Sequence, residues 1–155
     1  MTTGRPEVLQ AWTELSEATS TIRAAVNRAL QHDAGLSLAE NLVLCQVAMA
    51  PGGRLKMVQI AELLGIAKSA VTKTVDRLEA RGGLTRRRDS DDRRTVQATL
   101  TPAGATVFHR AQPIFAGAVA RQLGGPLNAT EVTELRRLLS KLLDAESAAR
   151  TADTA

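Results

Sequence analysis

Lys68, Ser69, Thr72, Lys73 and Arg77 recur at steps of three and four residues, so one helix face would carry all of them. A helix that enters a DNA major groove needs short polar or basic side chains on its outer face, near its N-terminus. Lys68, Ser69, Thr72 and Lys73 meet that need, and Arg77, one turn on, suits a phosphate. An ordinary solvated helix face has the same composition, so this spacing alone is a weak signal. A second basic group strengthens it. Arg86, Arg87 and Arg88 stand on one side of Asp89-Ser-Asp-Asp92, with Arg93 and Arg94 on the other. A ribbon of this kind can lay guanidinium groups along phosphates or into a narrow minor groove. Carboxylates in such a ribbon, Asp92 among them, have a positional use, since an Asp paired with an Arg fixes its planar fork for insertion.

Other chemistries lack their residues. One cysteine, Cys45, and two histidines, His32 and His109, cannot build a zinc site of the usual kind within one chain, and no internal disulfide is possible. Trp12, Phe108 and Phe115 are the only aromatics, too few for a platform that stacks single-stranded bases. No paired carboxylates, nucleophile–base pattern or phosphate loop is present, so the chain is not expected to be an enzyme or to hold a metal or cofactor. The histidines have no partner pattern and read as surface or packing residues. Cys45 lies on an apolar stripe with no flanking cation to depress its pKa, and reads as an inert thiol.

The charge is placed unevenly. The chain of 155 residues carries +4 overall, with a pI near 10.0. Residues 54–94 hold eleven positive and six negative side chains, a net +5, while the remainder is near neutral. A basic centre between neutral flanks suggests one module facing a polyanion, carried on another.

Those modules can be read from periodicity. Val8, Trp12, Leu15, Thr19, Ile22, Val26 and Leu30 mark an amphipathic helix over about 7–32, and Gly35 stops it. Ser37-Leu-Ala-Glu40 is a capping box that opens a second helix to about Ala50, with Leu38, Leu42, Cys45 and Met49 as its stripe. Arg54-Leu-Lys56 fits a very short strand. Residues 57–81 form two short helices broken at Gly65, the second turning Val71, Val75 and Leu78 inward, which is a helix-turn-helix pattern. A charged hairpin follows, with Thr95–Leu100 alternating as a half-buried strand. Thr101-Pro102 caps a helix bearing Phe108, Ala111, Phe115, Val119 and Leu123, which Pro113 should kink. Asn128 and Glu131 cap a last helix with Val132, Leu135, Leu138, Leu139, Leu142 and Leu143 on a wide apolar face. After Glu146 the chain reads as a frayed tail, 147–155.

Leu78-Glu-Ala-Arg-Gly82, Leu84-Thr-Arg86, Asp92-Arg-Arg94 and Leu100-Thr101 resemble the MarR (multiple-antibiotic-resistance regulator) family. Its wing signature is Asp-x-Arg, five residues, Leu-Thr and often a nearby Gly, here Asp92, Arg94, Leu100, Thr101 and Gly104. The resemblance covers the whole chain in helix order and is specific over 65–104. Gly82-Gly83 departs from it, since many members have a single glycine there. It implies a mainly α fold with a small β-hairpin wing: a winged helix-turn-helix DNA-binding lobe over 37–101, and a helical dimerisation region over 7–34 and 102–146, in one domain of residues 1–146. It implies a homodimer that binds pseudo-palindromic double-stranded DNA, with Arg94 reaching the minor groove. Dimerisation through the first and last two helices would use Val8, Trp12, Leu15, Phe115, Val119, Leu135, Leu138, Leu139 and Leu142. The family further implies a repressor released by a small aromatic or phenolic effector. A non-specific architectural DNA binder without effector is the alternative. The opening residues lack a signal-peptide core, and no apolar run approaches the about 18 residues of a membrane helix. A cytoplasmic, nucleoid-associated protein of a bacterium or archaeon without membrane contact is therefore expected.

Overall fold

The structure is a computed structural model that describes residues 4–88 and 95–152. Helix α1 (Arg5–Ala34) leads into α2 (Leu38–Met49), then a short 3-10 turn at Pro51–Gly53 and strand β1 (Arg54–Lys56). Helices α3 (Met57–Leu64) and α4 (Lys68–Ala80) follow, then β2 (Leu84–Arg88), β3 (Val96–Leu100), α5 (Pro102–Leu123) and α6 (Ala129–Ala152). The strands form one antiparallel sheet in the order β1-β3-β2. Leu55 pairs with Ala98 and Arg86 with the same Ala98, so the central strand binds both edges at one buried residue. The fold is thus a helix-turn-helix with a small sheet as its wing, and mostly helical elsewhere. Two compact units are present, Met1–Ala118 and Val119–Ala155. Among the described residues no helix is long and apolar enough to cross a membrane.

The core of the first unit is aliphatic. Leu30, Leu36, Val43, Leu44, Val47, Ile60, Val71, Val75, Leu78 and Leu84 are fully buried. Fully burying one such side chain favours folding by about 1.5–3 kcal/mol, so this cluster holds α4 and β2 against α2. The stripe expected for α2 differs from the observed one. Leu38, Val43, Leu44 and Val47 are buried, whereas Leu42 and Cys45 are half-buried and Met49 is 82% exposed. Since α2 is apolar almost all round, periodicity could not single out its inner face.

Local signals set the ends of the helices. Ser37 and Glu40 form the expected capping box: Glu40 N–H donates to Ser37 Oγ at 3.2 Å and Ser37 N–H to Glu40 Oε2 at 2.7 Å. Gly35 and Gly65 end α1 and α3 in the left-handed region, at φ 65° and 61°. Asn128 caps α6 by accepting from the N–H groups of Thr130 and Glu131. Helix α5 runs through Pro113. Helix α6 continues to Ala152, beyond the expected fraying point near Glu146. Its last stretch, Ala145-Glu-Ser-Ala-Ala-Arg-Thr-Ala152, is rich in alanine, the strongest helix former.

Candidate nucleic-acid interface

Helix α4 has two chemically distinct faces. Val71, Thr74, Val75 and Leu78 are buried, and Thr74 returns its hydroxyl to Ala70 O at 2.9 Å. Lys68, Ser69, Thr72, Lys73 and Arg77 are all exposed on the opposite side. The structure therefore brings together every residue that the sequence assigned to the reading helix. Thr72 Oγ1 donates to Lys68 O at 3.0 Å. Its hydrogen is committed, which leaves its hydroxyl an acceptor and its methyl an apolar contact for a thymine methyl.

The basic strand β2 splits in two. Arg87 and Arg88 are exposed and keep their charge for solvent or a polyanion. Arg86 is engaged by the protein instead. Its Nη1 lies 2.6 Å from Asp76 Oδ1 and 2.7 Å from Glu79 Oε2, and its Nη2 donates to Thr72 O at 3.1 Å. Its backbone N–H donates to Glu79 Oε1 at 2.9 Å. One guanidinium thereby ties β2 to three successive turns of α4. The sequence alone assigns no partner to Asp76 or Glu79. Both lie on α4 at a separation of three residues, so one cation can meet both, and that spacing was the available signal. Asp92, Arg93 and Arg94 lie outside the described residues.

An open groove of about 620 Å³ is lined by residues of α3, α4 and the wing. Met57, Val58 and Val96 give it an apolar side, and Lys68, Thr72, Asp76 and Arg86 a polar one.

The wing is fastened to α5 by the Leu100-Thr101…Gly104 segment. Thr101 Oγ1 lies 2.6 Å and 3.1 Å from the carbonyl oxygens of Gly82 and Gly83, and accepts from Gly104 N–H at 2.9 Å. The first turn of α5 passes so close to Gly83 that a Cβ on Gly104 would stand 1.9 Å from Gly83 O. Gly82 takes the left-handed φ of 73° that turns the chain from α4 into β2. The two adjacent glycines thus have different uses: a turn at Gly82, and at Gly83 the backbone surface against which α5 packs.

The residues assigned to dimerisation are largely uncovered in the single chain. Val8, Trp12, Leu15, Leu138 and Leu142 are exposed, while Phe115, Val119, Leu135 and Leu139 are half-buried. Cys45 is half-buried, and Gln112 Nε2 donates to its Sγ at 3.2 Å. Burial pushes the thiol above its ordinary pKa, more than the Gln112 hydrogen bond lowers it. His32 is exposed and pairs with Asp33 at 2.6 Å; Phe108 and His109 are in ring contact.

A profile of the MarR family matches residues 34–95. The multiple antibiotic resistance protein MarR of Salmonella typhimurium is 32% identical over 101 residues, which cover 65% of this chain and 69% of that protein. An HTH-type transcriptional repressor of Mycobacterium tuberculosis is 31% identical over 121 residues, covering 78% of this chain and 84% of the relative. Among solved structures, a MarR family transcriptional regulator from Streptomyces coelicolor in complex with DNA superposes with a TM-score of 0.82 at 27% identity. The match covers 94% of this chain and 91% of that one. A MarR variant from Escherichia coli complexed with operator DNA gives 0.79 at 24% identity, over 88% and 96% of the two chains, and supports the fold alone.

Proposed function

The chain belongs to the MarR family of transcriptional regulators, and from that premise we propose that it is a homodimeric repressor which binds a pseudo-palindromic operator and leaves it when a small aromatic or phenolic effector binds. Regulators of this family act by binding DNA and are not enzymes, in line with the absence of catalytic patterns in the sequence.

One observation carries the reading. Helix α4 stands on a buried aliphatic base and turns Lys68, Ser69, Thr72, Lys73 and Arg77 outward together. In the proposed complex the first four lie in the major groove, and Arg77 grips a phosphate. Arg87, Arg88 and Arg93 follow the backbone, and Arg94, supported by Asp92, enters the minor groove, as the family resemblance implies. Arg86 acts differently, from within the protein. Two-fold symmetry places two copies of α4 about 34–36 Å apart, one turn of DNA. An effector that holds them at another distance costs the operator complex its fit, and the two ligands then bind antagonistically by linkage.

The reading is tested by competition on duplexes from the DNA flanking the protein's own gene. A specific repressor retains one labelled duplex against a large excess of scrambled DNA. Equal displacement by both, with binding that vanishes as salt rises, would instead mark an architectural binder.

A further inference from the structure

The C-terminal end of α1 is gripped by two arginines to which neither the sequence nor the DNA-binding reading gives a role. Helix α1 closes at Gly35, and its last carbonyls have no partners within the helix. Arg81 Nη2 donates to Gly35 O at 2.7 Å, and Arg110 Nη2 donates to Ala34 O at 3.2 Å. Cations are favoured at a helix C-terminus by its dipole. Arg81 reaches further. Its Nη1 stands 3.7 Å from Oε2 of the buried Glu40, the oxygen that also accepts from Ser37 N–H and so opens α2. Arg81 is itself the residue that closes α4, its N–H returning to Arg77 O. One side chain thus joins the ends of α1 and α4 to the start of α2.

This joint has a geometric consequence. Helix α4 carries the reading face, and α1 is the arm proposed to meet the second copy. The angle between them sets how far each α4 lies from the two-fold axis. Helix α1 has 30 residues, a length of about 45 Å, so a small rotation at its end moves the far end by several ångströms. A guanidinium with a planar fork of donors resists that rotation, whereas an ammonium is a single pivot.

We propose that Arg81, aided by Arg110, is a positioning residue that sets the distance between the two reading helices, and hence the half-site spacing the protein accepts. This rests on the dimeric DNA-binding reading above. Arg81 acts through the orientation of α4 and not through a base.

The test uses the two-fold duplex that the wild-type protein selects from a randomised pool. Affinity is measured for it and for two versions with the centre lengthened or shortened by one base pair. The quantity read is the ratio of affinities across the three spacings. Lost charge or a lowered folded fraction scales every affinity alike and cancels from that ratio. The wild-type protein should lose about tenfold for either shift, the order expected for one damaged set of base contacts. Arg81→Gln should flatten the ratio to about threefold or less. Arg81→Lys, which keeps the charge, should fall between the two. Variants that bind more weakly but keep the wild-type ratio would overturn the inference and reduce Arg81 to a helix cap or a phosphate contact. A wild-type protein indifferent to spacing would overturn the dimeric reading, and the inference with it.

Discussion

Thr72 and Lys73 face outward from α4, while Arg86, a few ångströms away, is spent on Asp76 and Glu79. The two kinds of residue should fail differently. Replacing Thr72 or Lys73 by Ala should relax preference at particular bases, by about 1–3 kcal/mol where a base contact is lost. Competition with a set of singly substituted operators measures this, and an equal loss on every sequence would move the residue to the phosphate contacts. Cys45 makes a second prediction. Burial raises its pKa, so less thiolate is present at a given pH than in a free cysteine, and alkylation runs through the thiolate. Iodoacetamide should label the native protein slowly at pH 7.5 and faster as pH climbs past the ordinary thiol range; prompt labelling at pH 7.5 would contradict the inert thiol. The outward side chains of α4 were legible in the sequence because helical spacing alone places them. The engagement of Arg86 was not, because the spacing of Asp76 and Glu79 shows only that one cation can meet both, and which cation does so depends on where β2 lies against α4. Arg81 and Arg110 were missed for the same reason: their acceptors at Gly35 and Ala34 are 46 and 76 residues distant.

Element boundaries followed the capping residues. Ser37, Gly35, Gly65, Thr101 and Asn128 all mark ends in the fold where the sequence set them. The inner face of α2 was misread because nearly every side of it is apolar, so burial there is decided by neighbouring elements rather than by period. The close approach of α5 to the turn before β2 was also illegible, although its residue, Gly104, was singled out by resemblance. The structure supplies the reason for that glycine, a backbone crossing with no room for a Cβ. Gly104→Ala gains helix propensity of roughly 0.5–1 kcal/mol. It must also push α5 away from Gly83, and overpacking of this kind costs about 1–3 kcal/mol. The net effect should be a lower urea midpoint and a weakened wing. A midpoint equal to or above that of the wild type would show that the crossing opens without cost.

At the scale of the whole molecule, the chain leaves large apolar side chains uncovered at both ends of the sequence. Trp12 is 68% exposed, Leu142 59% and Leu143 69%. Exposed apolar surface that recurs along a helix marks an interaction face, and the proposed occupant is a second copy. If so, the unfolding temperature should rise with protein concentration, as it does when folding and association are linked. Leu142→Glu should shift sedimentation toward the monomer at micromolar concentration and weaken operator binding, with α4 untouched. A variant that stays dimeric would move the interface elsewhere. The sequence showed a wide apolar face on the last helix and an amphipathic stripe on the first, but an apolar face alone does not say what covers it.

The central claim is that two copies of α4 read one two-fold site. A footprint of the purified protein on the DNA flanking its own gene, with scrambled competitor present, tests it most directly. The account predicts two protected segments, related by two-fold symmetry, with centres about one helical turn apart. Diffuse protection that fades evenly as salt is raised, or a single unpaired segment, would contradict it.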